Sequence, residues 1–202
     1  MSRLPLPSLP RRFTLSSPLV IYPLFLPAGL GLLGQVVWAL GWSDRTASTW
    51  AVGLLALGTL LICLEQAHMA VVDLRQIHLV KQQTPDPRLR HFYWITLSTI
   101  AIELIGFYVA TPWLGWGALI VLLSQAWFNL LANIQLHPAT PQPIRSWGIR
   151  DRLPVLVADG VGLLLASLWI AQIVPIWGAS LLLSIVLIYG WVKYIQPRIQ
   201  PQ

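Results

Sequence analysis

Ala51-Val52-Gly53-Leu54-Leu55-Ala56-Leu57-Gly58-Thr59-Leu60-Leu61-Ile62-Cys63-Leu64 is an uncharged run inside a longer apolar segment, 48–72, after which Asp73, Arg75 and Lys81 follow in quick succession. At 1.5 Å per helical residue this segment covers about 37 Å, enough for the ~30 Å hydrocarbon core of a bilayer. The cations beyond it cannot enter that core cheaply, so the change in composition marks a membrane surface.

Five more segments repeat the pattern outward from this one: 18–41, 91–111, 113–136, 154–173 and 176–195, each free of Lys and Arg until its end. The connectors alternate in charge. With the N-terminus in the cytoplasm, Arg3, Arg11, Arg12, Arg75, Lys81, Arg88, Arg90, Arg145, Arg150, Arg152, Lys193 and Arg198 all lie inside, and only Arg45 lies outside. Positive residues in short loops resist translocation. The expected fold is therefore all-α, a polytopic integral membrane protein with six transmembrane helices in three hairpins and both termini cytoplasmic. Residues 1–17 are expected as a cytoplasmic N-terminal segment, 18–195 as a single six-helix transmembrane domain and 196–202 as a cytoplasmic tail. The run 18–41 is too long for the apolar region of a signal peptide and is kept as the first span.

Composition agrees with this reading. The chain has 202 residues, 56% hydrophobic and 10% charged, with a mean hydropathy of +0.67. No connector exceeds about twenty residues, which leaves no room for a soluble catalytic or nucleotide-binding domain between spans. The net charge of +6 follows the topology. Basic loops beside spans meet anionic headgroups, so the expected partners are membrane lipids and other membrane-protein subunits, with no nucleic acid. The expected location is a bacterial inner or an organellar membrane. Cys63 is the only cysteine, which excludes an internal disulfide and a cysteine zinc cluster.

Punctuation between the spans is specific. Val72, Leu74, Ile77 and Val80 continue an apolar stripe past the second span while Arg75, Gln76 and Lys81 face water, so a helical extension is expected there, ended by Pro85 and Pro87. The proline-rich stretch 137–143 is expected to be extended. Trp38, Trp42, Trp50, Trp113, Trp116, Trp169 and Trp177 gather at the outer interface as an aromatic belt. Pro112-Trp113-Leu114-Gly115-Trp116-Gly117-Ala118 and Pro175-Ile176-Trp177-Gly178-Ala179 both open a descending helix with Pro, Trp and a Gly-Ala pair, as a repeated hairpin would.

Three acids lie within the spans: Glu65, Glu103 and Asp159. A carboxylate in hydrocarbon costs several kcal/mol unless it is protonated, paired or wetted. Counting from the inner ends places Glu103 about 18 Å deep, near the midplane, and Glu65 and Asp159 about 8–10 Å deep. Arg152, seven residues before Asp159, is its expected partner, and Arg75 or the basic end of another helix is that of Glu65. Glu103 has no basic residue within easy reach. Gln125, Asn129 and Asn133 recur every four residues on the fourth span and supply a polar stripe. These six residues, Glu103, Gln125, Asn129, Glu65, Asp159 and Asn133, are the candidate lining of one inward-opening cavity. Glu65 and His68, three apart on one helix, are in addition a candidate ligand pair for a metal or pigment, although the sequence requires no cofactor.

No phosphate-binding glycine loop, nucleophile elbow, His-Glu-x-x-His or Cys-x-x-Cys is present. The leading expectation is an integral membrane subunit or assembly factor of a larger membrane complex, without catalytic activity of its own. Two alternatives stay open: a small proton- or cation-coupled transporter or channel built on Glu103, and an enzyme that modifies lipids or isoprenoids at the inner leaflet through Glu65, His68 and Asp159.

Overall fold

Apolar segments with no water to bond their backbone must satisfy it internally, and all six do so as helices in the computed structural model, which describes residues 18–42 and 46–194. Helix α1 (Pro18–Val37) runs into a π-helical turn, Trp38–Trp42. It is followed by α2 (Ala47–Gln83), α3 (Pro87–Ala110), α4 (Leu114–Leu131), α5 (Ile149–Ile170) and α6 (Pro175–Tyr194). All six are long and apolar enough to cross a membrane. Arg3, Arg11, Arg12, Arg45 and Arg198, the segment 1–17 and the tail 196–202 lie outside the described residues.

Local chemistry sets the ends. Thr46 caps α2 reciprocally with Thr49, each hydroxyl accepting from the other's backbone N–H, at 3.3 and 3.2 Å. Asp86 caps α3 through the Arg88 N–H at 2.8 Å, with Pro87 in the first helical position. The Asp151 carboxylate accepts from the Gly148 N–H at 3.1 Å to open α5.

Helix α2 has 37 residues and so runs about 55 Å, about 25 Å more than a bilayer's hydrocarbon requires. Its surplus is the expected extension: Leu74, Ile77 and Val80 are buried, Arg75 and Lys81 are exposed, and the helix stops at Gln83 before Pro85.

Two expectations are corrected here. The fourth apolar segment is not one helix to residue 136. It breaks at Leu131, and Ile134–Leu136 becomes strand β1, paired antiparallel with β2 (Ile144–Ser146) so that Ile134 faces Ser146 and Leu136 faces Ile144. Burial explains the switch, because Ile134 and Leu136 are buried on either side of exposed Gln135, a period of two rather than 3.6. The stretch 137–143 is accordingly not extended but turns back on itself, closed by the His137 N–H donating to the Pro143 carbonyl at 2.8 Å.

Small residues let helices approach. A Cβ on Gly117 would lie 2.2 Å from the Ala110 nitrogen, so α4 packs on α3 backbone to backbone. The two Gly-Ala pairs of the Pro-Trp segments behave alike: Gly117 and Ala118 in α4, and Gly178 and Ala179 in α6, are all buried. Between the spans the core centres on Phe25, Leu32, Leu55, Cys63 and Phe107. At the basic end the same core continues through a cluster of Leu74, Ile77, Val80, Leu89, Phe92, Ile134 and Leu136, which joins the α2 extension, the start of α3 and β1. Helix α6 buries little beyond Gly178, Ala179 and Leu182, while Leu181, Leu187, Ile188, Trp191 and Val192 are exposed.

Candidate functional site

Charged and amide side chains within the spans form two separate networks. In the first, the Glu65 carboxylate on α2 accepts from the Lys193 ammonium and, at 2.5 Å, from the Tyr194 hydroxyl, both on α6. Lys193 also points at the Met69 sulfur, 3.0 Å away, and lies 5.4 and 5.3 Å from the ring centres of Tyr189 and Tyr194. The basic end of another helix is indeed what meets Glu65. Nothing in the local sequence singles out Lys193, which is separated from Glu65 by 128 positions, although two tyrosines and a tryptophan crowd around it.

The second network joins α4 to α5. Asn129 donates from Nδ2 to the Asp159 carboxylate at 2.8 Å, and its backbone carbonyl accepts from an Arg152 guanidinium nitrogen at 2.6 Å. Arg152 is buried, reaches the Gly148 carbonyl at 3.3 Å through Nε, and stacks 5.5 Å from the centre of the Trp147 ring. The expected Arg152–Asp159 pair is thus replaced by an arrangement with Asn129 between the two. The guanidinium takes the carbonyl left open near the end of α4, and the Asn129 amide takes the acid.

Glu103 is 2% exposed, and among the described residues no hydrogen bond or ion pair reaches its carboxylate. It lies within electrostatic reach of Cys63 and Asp73 on α2, and Asp73 lies within reach of Lys193. Asp73 and Lys193 are the site residues that sequence reasoning did not select, because Asp73 is read as part of a connector and Lys193 as the basic end of the sixth span. Of the ionisable groups Glu103, Asp73, Lys193 and Glu65, only Glu65 and Lys193 are bonded to one another, across α2 and α6.

The remaining candidates scatter. Asn133 lies past the end of α4, is exposed, and uses its backbone carbonyl to accept from the Trp147 N–H at 2.9 Å, so it does not continue the stripe. Gln125 is half-buried. His68 is exposed, while Glu65 turns to α6. Among the described residues no three His, Cys, Asp or Glu side chains are grouped as a metal would need. At the tryptophan-rich end a cavity of about 460 Å³ is lined by Trp38, Trp113, Trp116 and Trp169 together with Gln35. Gln35 anchors α1 there by donating to the Ala110 carbonyl at 3.1 Å.

Comparison with known proteins adds no lineage: no family model, curated protein or solved structure matches the chain.

Proposed function

We propose that this chain is an integral membrane subunit or assembly factor of a larger membrane complex, without catalytic activity of its own. In this reading its spans form three hairpins with both termini in the cytoplasm of a bacterial cell or the equivalent side of an organelle. The observation that carries the reading is how the polar groups of the spans are engaged. Glu65 ties α2 to α6, and Asp159 and Arg152 tie α5 to α4 through Asn129, so these groups fasten helices to one another. The same geometry separates the residues a lipid-modifying site would combine, since Glu65 and Asp159 are bonded to different helices and His68 faces outward.

A second reading, a proton- or cation-coupled carrier, is favoured by Glu103 alone. A buried carboxylate without a bonded partner, followed by Asp73 towards the basic end, is what a proton or cation path through a bundle requires. Glu103→Gln separates the two, because the change removes the titrating group and keeps the shape. The expected result is that the variant assembles in native membranes as the wild type does, and that wild-type protein in vesicles moves no protons or cations faster than empty vesicles. Cation or proton flux that Glu103→Gln abolishes would overturn the subunit reading in favour of the carrier.

A further inference from the structure

A groove of about 680 Å³ opens where the α2 extension meets the start of α3. Its floor is apolar, formed by the buried side chains of Leu74, Ile77 and Leu89. Its rim is cationic: Lys81 and Arg90 line it, with the His78 and Tyr93 rings beside them. Among the described residues the only acid lining it, Asp86, is already occupied by the backbone N–H and the guanidinium of Arg88, the latter at 2.7 Å. Neither Lys81 nor Arg90 has a salt-bridge partner among the described residues.

Position adds to charge. Taking exposed Trp50 as an anchor at the opposite interface, ~30 Å of hydrocarbon ends about twenty residues on, near Ala70, and a headgroup layer of ~5–7 Å ends near Leu74. The groove therefore begins at the outer edge of the headgroups, within reach of a lipid head. An apolar floor under a rim of unpaired cations at that level complements one kind of molecule, an amphiphile with an anionic head.

We propose that this groove is a binding site for the head of an anionic glycerophospholipid, its phosphate held by Lys81 and Arg90 at the rim while the acyl chains stay in the bilayer. The site rests on the helices spanning a bilayer and on neither reading of function.

The test uses the full-length protein in a neutral detergent, with native mass spectrometry counting retained phosphatidylglycerol or phosphatidylcholine. Wild type is expected to retain one phosphatidylglycerol in preference to phosphatidylcholine. Lys81→Gln/Arg90→Gln is expected to weaken that retention about thirtyfold, at ~1 kcal/mol for each cation. Arg145→Gln/Arg150→Gln, which removes the same charge from the neighbouring connector, should keep the retained lipid. Equal retention of the two lipids, or equal loss in the two double variants, would overturn the site and leave only diffuse attraction of a basic surface.

Discussion

Glu65 holds two donors at once, Lys193 and Tyr194, and the exposures of the charged pair, 21% for Glu65 and 26% for Lys193, leave little water to replace either. Glu65→Gln keeps the size but takes away the carboxylate that the Lys193 ammonium bonds, so a loss of about 1.5–3 kcal/mol is expected in detergent unfolding. Glu65→Met/Lys193→Met removes both charges together and should recover most of that loss, because no charge is left without its partner and the Tyr194 hydroxyl, which is exposed, can turn to water. A double variant as unstable as the single one would mean that the helices are held there by something other than the clamp. A second residue-scale effect is backbone strain. Val174, in the connection between α5 and α6, has φ of 46°, a left-handed conformation that a β-branched side chain disfavours by about 1–2 kcal/mol. Val174→Gly should therefore raise the unfolding temperature while Val174→Ala, which keeps a Cβ, should raise it less. A Gly variant that melts lower than the wild type would show that the turn needs its side chain more than it suffers from it.

At the scale of elements, α3 depends on two devices of different chemistry, a charged cap at its start and a close approach near its end. The Arg88 guanidinium and N–H beside Asp86 hold its carboxyl below the usual carboxylate range. A carboxyl whose pKa is lowered on folding contributes its stability above its unfolded pKa and loses it as pH falls through the lower folded value. Exchange of the Leu89 amide, corrected for intrinsic rate, should accordingly rise only below about pH 4. Asp86→Asn keeps a capping oxygen and should remove that dependence. Near the other end, Gly117→Ala would put a methyl 2.4 Å from the Ala110 Cβ and cost about 1–3 kcal/mol, whereas Gly34→Ala, with nothing within 4 Å, should be silent in the same melts. Legibility also divides by element. The α2 extension was readable because Leu74, Ile77 and Val80 keep helical spacing for about two turns while cations flank them, and the spans were readable because length and charge are properties of contiguous sequence. The β-hairpin was not, since Ile134-Gln135-Leu136 continues an apolar run and only burial distinguishes two periods over three residues. Glu65 with Lys193 and Asn129 with Asp159 were hidden for another reason: which helices adjoin in space is decided by packing, and spacing along the chain carries no trace of it.

For the whole molecule, the part of the apolar core at the basic end forms a cluster that ties several elements into one body. The α2 extension, the first turns of α3 and the β-hairpin share Leu74, Val80, Leu89 and Ile134, and the Gln83 amide donates to the Pro138 carbonyl at 3.3 Å. These parts must emerge on one side of the membrane together, because α2 and the hairpin cannot be pulled apart without exposing that cluster. Arg75, Lys81, Arg88, Arg90 and Arg145 all belong to them, and Lys or Arg in short connectors stays cytoplasmic. Cysteine labelling reads this directly, since the native Cys63 is 1% exposed and provides a silent background. Gln82→Cys and Gln142→Cys, both at exposed positions, should react with a membrane-impermeant maleimide only in inside-out vesicles, and Pro112→Cys, at the tryptophan-rich end, only in right-side-out vesicles. If Gln82→Cys and Gln142→Cys react from opposite faces, the shared cluster does not exist in the membrane. If both react from outside, the bundle stands but its orientation is reversed, and the cations at this end no longer follow the rule that gives the topology.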